Sequence, residues 1–191
     1  AENLQANIHT EKRERYAAYI RANVNRMDQI IRKMLEMTRL EEDSLKISLE
    51  DVALAEVCKI IIDRYKPVWE EKLINVALDG EAVIKADHSL ILRVIDNFFV
   101  NALDNTPAEG SISIRILDDK LEVYNSGSCI PADRIEEIWM PFKKGDEARS
   151  YSKGTGLGLA IARTILELHR FSYGVVNSEN GVIFWFGFRQ S

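Results

Sequence analysis

The stretch that most limits how this 191-residue chain can fold is Lys153-Gly154-Thr155-Gly156-Leu157-Gly158-Leu159-Ala160-Ile161. Three glycines stand at spacing two, and an apolar run at helical intervals (Leu159, Ile161, Ala162, Ile165, Leu166, Leu168) follows at once. Glycine reaches positive φ and lets another group approach the backbone closely. The helix behind such a loop begins with N–H groups that lack intrahelical acceptors and with the positive end of its dipole. The loop is therefore either a plain turn into a helix or an anion site, with phosphate the usual anion.

A second polar constellation lies upstream. Apolar residues recur at 91, 94, 95, 98, 99 and 102, which predicts a helix. Asn97 and Asn101 are four apart and share one face of it. An amide oxygen is a hard, neutral donor of the kind Mg²⁺ takes alongside phosphate oxygens. The same spacing also fits two asparagines that simply face water.

Together with the residues between them, these segments resemble the catalytic, ATP-binding domain of sensor histidine kinases. Asn97-Phe98-Phe99-Val100-Asn101-Ala102 looks like that family's N box. Asn125-Ser126-Gly127-Ser128-Cys129-Ile130-Pro131 looks like its first glycine box, and Ile138-Trp139-Met140-Pro141-Phe142 is similar to its F box. Gly154 to Ile161 is similar to the second glycine box, and the order is the family's. The resemblance implies an α+β fold, a two-layer sandwich of the histidine-kinase, Hsp90 and gyrase ATPase type, preceded by a long N-terminal helix. It implies ATP and Mg²⁺ as cofactors.

The site residues follow from the same resemblance. Asn101 is expected to ligate Mg²⁺ and Asn97 to lie beside the triphosphate, as the catalytic pair. Backbone amides of Gly156, Leu157, Gly158 and Leu159 are expected to cradle phosphates, with Gly154 and Thr155 leading into them. Lys143, Lys144, Arg149 and Lys153 belong to a polar stretch over 143–155, read as a mobile lid whose cations either neutralise phosphate or are merely solvated. Asn125, Gly127, Ile130 and Phe142 are expected around the base; Ile95, Ile130 and Phe142 serve as its apolar wall or as plain core.

Three positions depart from the family pattern. Asn125 stands where Asp is usual, keeping a carbonyl oxygen for the adenine amino group but without charge assistance. Cys129 replaces a glycine, and Asp104 stands where many relatives carry a cation. A fourth position separates chemistries: related ATPases have a water-activating Glu where this chain has Asn97, an amide with no useful basicity near neutral pH. That favours phosphoryl transfer to a positioned nucleophile over hydrolysis. A nucleotide-responsive interaction module with weak or no kinase activity is the alternative.

Residues 1–43 read as part of a dimerisation and phosphoacceptor hairpin, mainly its second helix, and 44–191 as the catalytic domain. From Lys12 to Leu40 there is no Gly or Pro. Ile20, Val24, Met27, Ile31 and Met34 are spaced four, three, four and three, a heptad seam that calls for a partner helix. Residues 1–8 are expected to end a first helix, with His9-Thr10-Glu11 as the turn. His9 does not match the family's acceptor motif of His, Glu and a nearby Pro, so the sequence is expected to begin after the phosphorylated residue. Implied partners are a response regulator receiver domain and, in the full-length protein, a second copy through the hairpin. A net charge of −5 with no basic stripe argues against nucleic acid. The longest apolar run, Val182–Phe186, is too short for a bilayer, so a membrane enters only through segments outside this sequence. The expectation is the cytoplasmic portion of a membrane-anchored sensor. Cys58 and Cys129 have no metal-like spacing and read as free thiols.

Local patterns complete the expectation. Strands are predicted at 45–49, 74–78 and 82–84, and a helix over 54–71 that Pro67 kinks or ends. Asp87 is the predicted N-cap of the helix that runs to about Asn105. Hairpins are predicted at 111–125 and 173–188, with a helix over 157–170 between them. A mixed sheet covered on one face by helices is the architecture these elements suggest.

Overall fold

The computed structural model describes residues 2–40, 46–143 and 155–189, with side chains from Lys12 onward. Helix α1 spans Glu2–Leu40. It runs unbroken through residues 9–11, where a turn was expected, because no Gly or Pro interrupts its hydrogen-bond ladder there. Among the described residues, its last turns meet the rest of the molecule. Leu40 is buried, Met37 packs on the core, and Glu36 Oε1 lies 2.9 Å from Arg93 Nη1. The heptad seam is open: Ile20, Val24, Met27, Ile31 and Met34 are all about half exposed.

Strand β1 is Glu50–Ala53, not 45–49; Leu45 itself lies outside the described residues. Alternation is present at 46–49, yet no strand lies beside it, and Ser48 donates its amide to Asp87 Oδ2 at 3.1 Å instead. Residues 50–53 find a partner in β3 (Val83–Ala86), paired antiparallel. Helix α2 (Leu54–Arg64) stops at Tyr65, and α3 (Lys66–Glu71) restarts with Pro67 in its first turn, where a missing N–H costs nothing.

The main sheet has five strands in the order β2 (Asn75–Asp79), β4 (Ser111–Ile116), β5 (Lys120–Ser126), β7 (Gly181–Gly187), β6 (Ser172–Ser178). β2 and β4 are parallel and the other neighbours antiparallel, so the sheet is mixed, as expected. One face carries Ile112, Ile114, Leu121, Val123, Phe184 and Phe186, all buried. Against it lie α4 (His88–Asn105) and α5 (Gly158–Leu168), through Ile91, Ile95, Phe98, Phe99, Ile161 and Ile165. Each such side chain contributes about 1.5–3 kcal/mol on leaving water. The result is the two-layer α+β sandwich that the motifs implied.

Two polar contacts set how α4 and α5 sit. The carboxylate of Asp87 accepts from Leu90 N at 3.2 Å and from Ser89 Oγ at 2.8 Å, which makes it the N-cap of α4. His169, buried just past the end of α5, accepts from Asp87 N at Nε2 (3.0 Å). Its Nδ1 lies 2.8 Å from Ile165 O, so the ring is the neutral tautomer with the proton on Nδ1. The start of one helix is thereby pinned to the end of the other.

Candidate active site

The apolar stripe of α4 faces the sheet, and Asn97, on the polar face that it shares with Asn101, lies against the start of α5. The contact is close. A Cβ built on Gly158 would lie 2.8 Å from Asn97 Oδ1. The two constellations read separately from the sequence therefore meet, and glycine is what lets them.

The N-terminus of α5 has no side-chain cap. Leu157, immediately before it, is 1% exposed and anchors the loop in the core, while its N–H makes only a long contact with Thr155 Oγ1 (3.4 Å). Gly156 has φ +71, and its carbonyl accepts from Phe142 N at 2.8 Å. The loop is thus stitched to the segment that ends in Phe142. Leu159 packs partly buried on the core.

Trp139 fixes that segment from below. It is buried edge-on against Tyr173, with ring centroids 4.9 Å apart, and against Phe98 and Phe184. Phe142 itself has φ +63 and is 56% exposed. Lys143 Nζ lies 3.4 Å from Glu137 Oε2, so this cation is shared with an acid of its own segment. Ile95 is fully buried in the sandwich core.

The first glycine box follows β5. Asn125 is 1% exposed and donates from Nδ2 to Ser128 Oγ at 2.7 Å. Gly127 has φ +77, and a Cβ there would lie 2.7 Å from Pro107 Cδ, so the box leans on the chain leaving α4. Ile130 is held by its backbone: its N–H donates to Asn177 Oδ1 (2.9 Å) and its carbonyl accepts from Asn177 Nδ2 (2.8 Å).

Two of these contacts were not legible in the sequence. Asn177 is exposed near the end of β6, in the row of Tyr173 and Val175, where a polar residue ending an apolar alternation was the available signal. Asn105 continues the 97, 101 spacing by one more turn. Its Nδ2 donates to Asn101 O (2.8 Å) and to Asn101 Oδ1 (3.0 Å), orienting the amide expected at the metal. Lys144, Arg149, Lys153 and Gly154, with the rest of the expected lid over 144–154, lie outside the described residues.

The donor set fits a metal–phosphate group rather than a bare ion. Among the described residues no three His, Cys, Asp or Glu side chains gather as a metal cage. Neutral amide oxygens on α4, with Asn97 against Gly158 and Asn101 one turn further on, beside an uncapped helix start suit a divalent cation that brings phosphate oxygens with it.

Comparison with known proteins gives the family. Residues 86–191 match the family described as histidine kinase-, DNA gyrase B- and HSP90-like ATPases. The sensor protein IrlS of Burkholderia pseudomallei is 31% identical over 170 residues, covering 85% of this chain and 36% of that protein. The catalytic domain of the histidine kinase ThkA, in a nucleotide-free form, superposes with a TM-score of 0.65 at 28% identity, covering 74% of this chain and 95% of that domain. ThkA in complex with the response regulator protein TrrA gives a TM-score of 0.73 at 26% identity over 92% of this chain and 51% of that one. The chain spans about two fifths of the length of the curated relatives it matches.

Proposed function

Since the chain belongs to the histidine kinase-, DNA gyrase B- and HSP90-like ATPases, we propose that it is the ATP-binding catalytic portion of a sensor protein-histidine kinase. The γ-phosphoryl group goes to a histidine on a helical hairpin and from there to a response regulator receiver domain. The observation that carries this reading is the contact between Gly158 and Asn97, which joins a phosphate-type loop to the helix face that carries the asparagine pair. Residues 44–191 form the catalytic domain and 1–43 belong to the hairpin. The open seam from Ile20 to Met34 supports pairing with a second copy. Among the described residues no helix is long and apolar enough to cross a membrane. This reading makes the chain the cytoplasmic part of a sensor anchored through segments outside this sequence.

The roles follow from the side chains. When bound, ATP supplies the transferable phosphoryl group, and Mg²⁺ neutralises charge on its oxygens. Asn101 offers its oxygen to the metal, held in orientation by Asn105. The uncapped N–H groups at the start of α5 bind phosphate oxygens. Lys143 exchanges Glu137 for phosphate, and Asn125 receives the base. Asn97, an amide, takes no proton from water, so the site positions a nucleophile rather than activating a solvent molecule. That nucleophile is an imidazole with the family's acceptor motif around it; His9, His88 and His169 do not have that motif.

With γ-labelled ATP and Mg²⁺ the 191-residue chain should gain no acid-labile phosphate. Fusing a helix that carries the acceptor motif ahead of Ala1 should restore labelling. Label on the unmodified chain, lost in His9→Gln, would make His9 the acceptor. A fusion that binds ATP but stays unlabelled would favour a nucleotide-responsive module instead.

A further inference from the structure

The base subsite of this chain differs from an acidic one in a way that changes which purines it admits; the argument rests on the nucleotide reading above. Asn125 closes the inward row of β5 and is 1% exposed. Its Nδ2 donates to Ser128 Oγ at 2.7 Å and, weakly, to Ser126 O at 3.4 Å. Its Oδ1 accepts no hydrogen bond among the described residues. No buried side-chain oxygen there lacks a partner, so Oδ1 is the atom of this side chain left open.

An open acceptor matches the 6-amino group of adenine. A carboxylate in this position offers acceptors only, and it repels the 6-oxo group of guanine. An amide carries one acceptor and one donor, and a half-turn of its plane exchanges them. Whether that half-turn is tolerated depends on what the inner end of the amide touches. Here it touches a serine hydroxyl, which both donates and accepts. After the half-turn Ser128 Oγ donates to Oδ1 instead of accepting from Nδ2, and Nδ2 faces the base. The weak contact to the Ser126 carbonyl is the one described hydrogen bond lost.

We infer that Asn125, backed by Ser128, is a reversible base reader, so that the site takes purine nucleoside triphosphates with either a 6-amino or a 6-oxo group. Adenine keeps a modest advantage, because only its orientation retains the Ser126 contact. Titration calorimetry with Mg·ATP and Mg·GTP tests this on the wild-type chain, Asn125→Asp and Ser128→Ala, each checked for folding by circular dichroism. GTP should bind the wild type within about tenfold of ATP, and in Asn125→Asp the gap should widen to about a hundredfold, the size expected when a buried polar group is mismatched. Ser128→Ala should widen it too, since the remaining carbonyl neighbour can only accept. A wild type that binds ATP but rejects GTP by more than a hundredfold, or a ratio that neither variant moves, overturns the inference and leaves the ATP reading standing. Binding of neither nucleotide overturns both.

Discussion

Gly158 shows how much one missing side chain carries. It stands at the start of α5, and in that helical position alanine is the better residue by up to about 1 kcal/mol. The nearest obstacle to a Cβ is the Asn97 amide, at 2.8 Å, which can swing aside. Gly158→Ala is therefore expected to leave the denaturation midpoint unchanged or slightly raised. Mg·ATP affinity should fall at least about tenfold, roughly 1.4 kcal/mol, because Asn97 is displaced and phosphate approach narrowed. Parallel thermal melts and titrations check the split; affinity unchanged in the variant would remove the contact from the site. At this scale the sequence was informative where spacing alone defines a pair, as for Asn97 and Asn101. It was silent where partners come from distant strands, as for Asn177 and Ile130, since nothing local to either residue marks the other.

Elements were legible where periodicity and end signals agree. Asp87 is such a signal, and its charge has a measurable consequence. Partial burial pushes its pKa up. Hydrogen bonds from the Ser89 hydroxyl and the Ser48, Leu90 and Ser89 amides outweigh this and hold the carboxyl below its ordinary value. A carboxyl depressed in the folded state stabilises above its unfolded pKa of about 4, and that stability is lost as pH falls through the lower folded value. Asp87→Ala should cost about 1 kcal/mol at pH 7, read from denaturant midpoints, and the difference from wild type should shrink progressively below about pH 4. A gap that stays constant down to pH 2 would assign the loss to something other than the ionised cap. The strand expected at 45–49 failed for the opposite reason. Alternation is a property of one segment, while a strand needs a neighbour, and β3 pairs with residues 50–53 instead. The break expected at 9–11 failed because polar residues alone do not end a helix.

At the scale of the whole molecule, two layers bring four separate stretches of chain to one edge. The sheet presents Asn125 from β5, α4 presents Asn97 and Asn101, α5 presents its uncapped end, and the Trp139 segment is clamped beneath Tyr173 and Phe184. The mixed sheet and the covering helices were legible because each element carries its own period. Strand order was not, since the parallel neighbours β2 and β4 are set by the crossover through α4. The account stands on one claim, that this edge binds ATP through a metal held by Asn101. Calorimetric titration of Mg·ATP into the wild-type chain and Asn101→Ala, each with and without EDTA, measures it directly. The account predicts saturable binding by the wild type that weakens when EDTA removes the metal, and in Asn101→Ala a weak residual affinity that EDTA leaves unchanged. Equal, metal-dependent affinity in the two proteins would contradict it.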